Sequence, residues 1–160
     1  YTSDDVVGVE LGGALKNVLA IAVGIADGLG FGANTRAALM TRGLSEVMRF
    51  GQQFGARQET LMGLAGLGDL ILTCTDDQSR NRRFGLAIGR GMSIKQAELE
   101  VGQTVEGLRA ARAVYLKASE LGLELPIMTQ VYEVLCDGKN PMDAVKSLED
   151  RPQRAEMGDY

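Results

Sequence analysis

The sequence predicts an all-α domain built from several packed helices, with no β-sheet. Apolar residues recur at spacings of three and four along much of the 160-residue chain, as on the buried stripe of a helix. Helix start signals (Ser, Asn, Pro) and glycine stop signals separate these stretches. No segment alternates apolar and polar residues as a half-buried strand does. A content of 45% apolar and 24% charged residues is typical of a soluble globular domain.

The predicted helices of the first half follow one another in order. The first runs from about Asp4 to Ala26 and carries one apolar stripe, made of Leu11, Leu15, Val18, Ala22 and Ile25. The glycine-rich turn DGLGFGAN ends it, and Asn34 is predicted to cap the second helix. A short helix spans Gln58 to Leu64, and the loop AGLG then leads to Asp69.

Capping signals place the remaining helices. Three helices begin at a residue whose side chain can cap them: Ser79, Ser93, which is predicted to form a capping box with Gln96, and Asn140. A fourth has Pro126 in its first turn. Glu106 to Leu121 forms a longer helix, and glycines end two of the helices, at Gly122 and Gly138. We assign residues 1–150 to one helical domain and 151–160 to a polar, frayed tail.

Composition excludes several classes of function. The chain has no histidine, which excludes Ser-His-Asp hydrolysis and His-ligated zinc. Its formal net charge of −4 argues against a nucleic-acid partner. Cys74 and Cys136 are too few and too far apart for a metal cluster, so we expect no metal site and two buried, reduced thiols in a cytoplasmic protein. The apolar stretch Leu11–Ala26 is short for a membrane span and contains a lysine, so no span is expected.

Lys16 is the only charged residue in the segment LGGALKNVLAIAVGIA. Gly12, Gly13 and Ala20 share its helix face, so the ammonium is predicted to lie over backbone that a ligand can approach closely. Apolar surroundings disfavour the charged amine, and a neutral amine can act as a general base. From this segment alone, the alternative is a lysine whose stem packs on the protein and whose charged end reaches water.

Asp69 is the only charged residue in TLMGLAGLGDLILTCT. A carboxylate behind a glycine turn is also a common helix cap, which is the alternative for this residue. Burying Lys16 and Asp69 separately would be costly, whereas burying them together offsets part of that cost. We therefore expect the two side chains to be in contact, at no more than about 6 Å.

The basic cluster SRNRR begins at Ser79, at the predicted start of a helix. Backbone N–H groups at a helix N-terminus and a guanidinium together suit a phosphate or a carboxylate. Arg80 and Asn81 are predicted to bind, whereas Arg82 and Arg83 are interpreted as surface charge. The alternative is a solvated basic face paired with the two aspartates just upstream.

Glycine makes up 21 of the 160 residues and often lies beside a charge within an apolar run, which favours close backbone approach. In GQTVEG, glycines flank Glu106 and can present its carboxylate to a ribose or an amide. An exposed first-turn glutamate is the alternative. Gly28, Gly30 and Gly32 follow a helix rather than a strand, so we reject a dinucleotide fingerprint there.

Four motifs in order, GGALKN, GLAGLGDLILTCT, QSRNRRFG and VEG, resemble the bacterial NAD(P)-dependent glycerol-3-phosphate dehydrogenases over nearly the whole chain. The resemblance implies the helical substrate domain of these enzymes, which is similar to the C-terminal domain of the 6-phosphogluconate dehydrogenase superfamily. It further implies an N-terminal Rossmann domain, absent from this chain, that holds most of the NAD or NADP.

The resemblance also implies a role for each matched position. Lys16 is the implied catalytic residue, a general acid and base on the C2 oxygen of the substrate. The implied substrate-binding residues are Lys16, Asp69, Ser79, Arg80 and Asn81. The implied cofactor-binding residues are Arg80, Thr104 and Glu106. Asn17 and Thr73 resemble positions that contact substrate in related enzymes.

The implied reaction interconverts dihydroxyacetone phosphate and sn-glycerol 3-phosphate, a precursor of phospholipids. We expect this chain alone to be inactive, because it cannot hold the dinucleotide, and we expect self-association as a homodimer. Two alternatives stay open: a related dehydrogenase acting on another hydroxy acid, and a non-catalytic helical interaction module.

Overall fold

The computed structural model describes residues 3–152, and every regular element in that range is helical. The helices are α1 Val6–Gly28, α2 Ala33–Gln52, α3 Gln58–Met62, α4 Asp69–Thr75, α5 Arg80–Gly89, α6 Ile94–Val101, α7 Glu106–Leu121, α8 Pro126–Cys136 and α9 Pro141–Glu149. A π-helical turn, Leu64–Gly68, joins α3 to α4. The predicted all-α class is therefore confirmed.

Helix α1 is the centre of the domain, with α2, α4, α5, α7 and α8 packed around it. From Asn17 to Ala26 every residue of α1 is buried, as expected for a helix that is apolar on all sides. The expected short stretch lies within a longer helix, because α1 has 23 residues and its most apolar 18-residue window has a mean hydropathy of 1.7, so α1 is long and apolar enough to cross a membrane. However, 56% of its most apolar window is buried by the other helices, as in the core helix of a globular protein.

Helices α1 and α5 approach each other through glycines. Gly24 and Gly28 of α1 face Gly85 and Gly89 of α5, and a Cβ atom on Gly85 would lie 3.0 Å from the Gly24 Cα and overlap the Ile21 carbonyl oxygen. The prediction of close backbone approach is confirmed at these positions. This contact brings the N-terminal turn of α5 alongside the middle of α1.

Most predicted helix boundaries are confirmed by the capping contacts. Side chains accept backbone N–H groups at Asp5, Ser79, Ser93 and Asn140. Asn34 is not a cap, because α2 already begins at Ala33, directly after Gly32 in extended conformation. The predicted loop AGLG is instead part of the π-helical turn, where Gly66 packs directly on the Leu61 backbone.

The structure confirms the predicted burial of one of the two cysteines, and it describes only the first residues of the predicted tail. Cys74 is buried, and burial raises the pKa of its thiol to about 12. Cys136 is exposed, contrary to expectation, because it is the last residue of α8 and lies beyond the core. Arg151 forms an ion pair with Glu124 at 3.2 Å. The remainder of the predicted frayed tail, from residue 153, lies outside the described residues.

Candidate active site

Lys16 of α1 and Asp69 of α4 form a direct ion pair. The Lys16 Nζ lies 2.5 Å from the Asp69 Oδ2, and the two side chains are 22% and 36% exposed. The predicted contact is confirmed. Asp69 begins α4 but makes no capping bond; its carboxylate turns to Lys16 instead. The Thr73 hydroxyl donates to the Asp69 carbonyl oxygen at 2.6 Å and lies 3.4 Å from its carboxylate.

The lysine stem lines a small pocket whose other walls are mostly apolar, formed by Gly12, Leu44, Val47, Gly66 and Leu70. The predicted open floor is only partly correct. Gly12 is covered by the π-helical turn, and Ala20 is fully buried. Gly13 is the open position, because a Cβ atom placed there would meet no other atom within 4 Å. Gly13, which lies about one turn before Lys16 on the same helix, therefore leaves its backbone open to a ligand.

A buried pair of amides connects α1, α5 and α7 beside this ion pair. The Asn81 side-chain NH₂ donates to the Asn17 side-chain oxygen at 2.9 Å. The Gly107 backbone N–H donates to the Asn81 side-chain oxygen at 2.8 Å. Asn17 in turn donates to the Gly13 carbonyl at 3.1 Å and lies 3.5 Å from a Glu106 carboxylate oxygen. The sequence predicted Asn81 as a ligand-binding residue, but it did not predict this network.

Arg80 and Ser79 lie at the N-terminus of α5. The Ser79 hydroxyl caps the helix by accepting the Arg82 N–H at 3.3 Å. The exposed Arg80 guanidinium donates to the Gln103 side-chain oxygen at 2.7 Å. Gln103 precedes Thr104, which is exposed, and the exposed Glu106 begins α7. The predicted cofactor-binding residues therefore occupy one connected stretch of surface.

Arg82 is not surface charge, contrary to the sequence interpretation. It is only 6% exposed, because α5 packs its face against α1. Its guanidinium donates to Asp27 at 2.6 Å and to Asp77 at 2.9 Å. The signal in the sequence was Asp27, a lone acid at the end of an apolar helix. Arg83 is exposed, as predicted.

Two other kinds of site, a metal centre and a larger cavity, do not coincide with the predicted site residues in the part of the chain that the structure describes. Among residues 3–152 no group of three or more Cys, Asp or Glu side chains could hold a metal ion. A larger cavity of about 240 Å³ lies between α8 and α9, and none of the predicted site residues lines it. Lys16, Asp69 and the neighbouring amide network are thus the site that the geometry favours.

Comparison with known proteins shows the family to which the chain belongs. The sequence profile of the family described as NAD-dependent glycerol-3-phosphate dehydrogenase C-terminus matches residues 5–146. The glycerol-3-phosphate dehydrogenases [NAD(P)+] of Thioalkalivibrio sulfidiphilus and Nitrosococcus oceani are 64% and 61% identical to this chain over 98% of its length. The 2.1 Å crystal structure of glycerol-3-phosphate dehydrogenase from Coxiella burnetii matches 94% of the chain with 54% identity and a TM-score of 0.92.

The chain spans less than half the length of these relatives, covering 47% and 45% of the two bacterial proteins and 46% of the crystallised chain. A structure from Plasmodium falciparum, at 23% identity and a TM-score of 0.82, shows the same fold. The chain belongs to the family of NAD-dependent glycerol-3-phosphate dehydrogenase C-terminal domains.

Proposed function

We propose that this chain is the substrate-binding and proton-transferring half of an enzyme that interconverts dihydroxyacetone phosphate and sn-glycerol 3-phosphate. The observation that carries the proposal is the Lys16–Asp69 ion pair at 2.5 Å, beside the open backbone of Gly13. When bound, the nicotinamide cofactor supplies or accepts the hydride at the C2 carbon. The protein then has to hold the substrate and move one proton.

Lys16 is the proton-transfer group in this proposal. During reduction its ammonium donates a proton to the C2 oxygen, and during oxidation the neutral amine accepts the hydroxyl proton. Asp69 fixes the position of the amine, since its carboxylate is within hydrogen-bond distance and is itself contacted by Thr73. An oriented amine beside the reacting oxygen contributes to the rate because less freedom has to be lost in the transition state.

The phosphate of the substrate is assigned to the N-terminus of α5. The exposed Arg80 guanidinium supplies a planar set of donors, and the positive end of the helix dipole lies beside it. Asn81 holds this turn against α1 through its bond to Asn17, and Ser79 caps it. The phosphate would be bound on one side of the reacting carbon and Lys16 would act on the other.

The residues of this face fit a nicotinamide cofactor that another domain holds for the most part. Arg80 can pair with an anionic pyrophosphate, and the exposed Glu106 and Thr104 can accept hydrogen bonds from ribose hydroxyls or from an amide. Around Asp69 the exposed side chains are large and apolar, namely Met62, Leu64, Ile71 and Leu72. We assign this apolar surface to contact with a preceding Rossmann domain.

The proposal also covers the domain arrangement, the localisation and the self-association of the enzyme. Residues 1–150 would form the substrate domain of a two-domain, cytoplasmic enzyme that contains the preceding Rossmann domain. Self-association as a homodimer is a further prediction, which sedimentation of the two-domain enzyme tests. The 160-residue chain alone is predicted not to oxidise NADH.

Steady-state kinetics of the two-domain enzyme test the proposal. Dihydroxyacetone phosphate should be reduced with NADH or NADPH, and Lys16→Ala should lower kcat by about two orders of magnitude or more. Lys117→Ala is the matched control, because Lys117 is an exposed lysine that pairs with the exposed Glu120 on the same helix. Loss of substrate affinity with an unchanged kcat would show that Lys16 only binds. Turnover of a different hydroxy acid in a substrate panel would reassign the substrate, and no turnover of any would favour an interaction module.

A further inference from the structure

Arg82 joins three parts of the chain through one buried guanidinium. Its Nη1 donates to Asp27 at the end of α1, and its Nε donates to Asp77 in the loop between α4 and α5. Asp27 is also held by Arg36 of α2 at 3.0 Å. The Arg82 and Asp27 side chains are 7% and 8% exposed, whereas Asp77 is 77% exposed. We call Arg82 together with Asp27 and Asp77 the Arg82 clamp. Its Asp27 side is buried in the core, and its Asp77 side lies in the exposed loop.

The loop that the clamp holds leads directly into the proposed phosphate site. Asp77 is two residues before Ser79 and three before Arg80. The loop itself turns through Asp76, whose carboxylate accepts the Gln78 N–H at 2.8 Å and whose carbonyl accepts the Ser79 N–H at 3.0 Å. Two contacts tie this segment to α1: Arg82 links the Asp77 loop to Asp27, and the bond between Asn81 and Asn17 holds the first turn of α5 that follows.

We propose that Asp77 and Arg82 are positioning residues for phosphate binding, acting through the loop that presents Ser79 and Arg80. This inference rests on the proposed function, because it takes the N-terminus of α5 as the phosphate site. Neither side chain has to touch the substrate. Without the Asp77 contact the loop can move away from α1, and the Arg80 guanidinium then spends less time in the binding geometry.

For the Asp77→Asn variant, the proposal and simple electrostatics predict opposite changes in phosphate binding. Removing a carboxylate close to a phosphate dianion reduces repulsion and should tighten binding. If Asp77 instead holds the loop, Asp77→Asn weakens binding although it makes the site more positive, because the bond from Arg82 loses its charged acceptor and about half of its strength. Asp76→Asn is the matched control: it removes the same charge one residue away, and an asparagine side chain can still accept the Gln78 N–H.

The experiment measures the KM for dihydroxyacetone phosphate, kcat and the melting temperature of the two-domain enzyme. Asp77→Asn is expected to raise KM by about five-fold or more, with kcat within about two-fold of wild type. Because Asp77 is an exposed partner, the melting temperature should fall by no more than about 2 °C. Asp77→Glu keeps a carboxylate that can accept from Arg82, and it should restore most of the affinity.

The controls separate this inference from the proposed function. Asp76→Asn should leave KM unchanged or lower it. An Asp77→Asn KM equal to or below that of Asp76→Asn overturns the positioning role. An Asp77→Glu variant whose KM is as high as that of Asp77→Asn also overturns the positioning role. If the wild-type enzyme reduces dihydroxyacetone phosphate while Asp77→Asn behaves like the control, only this inference fails. If the wild-type enzyme does not act on that substrate, the proposed function fails first.

Discussion

The close approach of α1 and α5 makes a sharp prediction about Gly85. Replacing Gly85 by alanine puts a methyl group 3.0 Å from the Gly24 Cα, with the Ile21 carbonyl oxygen closer still. Ordinary contacts between carbon atoms begin near 3.5 Å, so the helices have to separate by roughly 0.5 Å or more. All of these neighbours are backbone atoms, which cannot rotate out of the way.

The magnitude follows from two opposing effects. Overpacking of this kind costs about 1–3 kcal/mol, and alanine in place of glycine returns up to about 1 kcal/mol in helix propensity. Because the Gly85 methyl group would overlap backbone atoms, the cost should lie in the upper part of that range, about 2–3 kcal/mol, and Gly85→Ala should lower the free energy of unfolding by about 1–2 kcal/mol. Gly13→Ala is the matched control on α1, because its methyl group would meet nothing within 4 Å. Gly13→Ala should therefore raise the free energy of unfolding by about 0.5–1 kcal/mol.

Urea unfolding of the 160-residue chain, followed by circular dichroism at 222 nm, measures both values. The two glycine-to-alanine changes should move the midpoint in opposite directions. In the two-domain enzyme, Gly85→Ala should also raise the KM for dihydroxyacetone phosphate, because α5 carries Arg80. A Gly85→Ala chain as stable as Gly13→Ala would refute the claim that glycine is required for the packing of α1 on α5.

Two further predictions concern a buried acid and the phosphate site. Burial raises the pKa of Glu46 to about 7, although its carboxylate accepts the Ile127 and Met128 N–H groups at the start of α8. The folded state therefore holds a proton that the unfolded state releases, and stability should fall as pH rises from about 4.5 to 7, by on the order of 3 kcal/mol from this group. Glu46→Gln should remove that slope from urea unfolding measured across this pH range; an unchanged slope would assign the titration elsewhere. Arg80→Ala should raise the KM for dihydroxyacetone phosphate by about ten-fold or more, with a smaller effect on the melting temperature, since Arg80 is exposed and bonded to Gln103. An unchanged KM would remove Arg80 from the phosphate site.

Local signals in the sequence predicted most of the helices, because caps and apolar spacing act within a few residues. The capping box of Ser93 and Gln96 is one case, with both reciprocal bonds present. The π-helical turn was missed because its glycines were interpreted as loop residues: Gly66 packs on the Leu61 backbone five residues earlier, and the turn then covers Gly12 of α1. The prediction that Asn34 caps α2 was wrong, because a residue that favours capping positions does not by itself determine where a helix begins.

The Lys16–Asp69 contact could be predicted because two lone opposite charges in apolar surroundings are stable only together. The same reasoning, applied to Asp27, would have found Arg82, but a row of arginines hides which one faces the core. The bond between Asn17 and Asn81 joins residues 64 apart in sequence. Neither asparagine is exceptional in its own segment, so only the packing of α5 on α1 reveals the pair.

A double-mutant cycle on Lys16 and Asp69, measured as kcat in the two-domain enzyme with dihydroxyacetone phosphate, tests the central claim most directly. If the pair acts as one proton-transfer unit, Lys16→Ala alone should cost about two orders of magnitude or more, and adding Asp69→Ala should cost little further. Losses that multiply would show that the two residues act independently, and the proposed role of their ion pair would then be wrong.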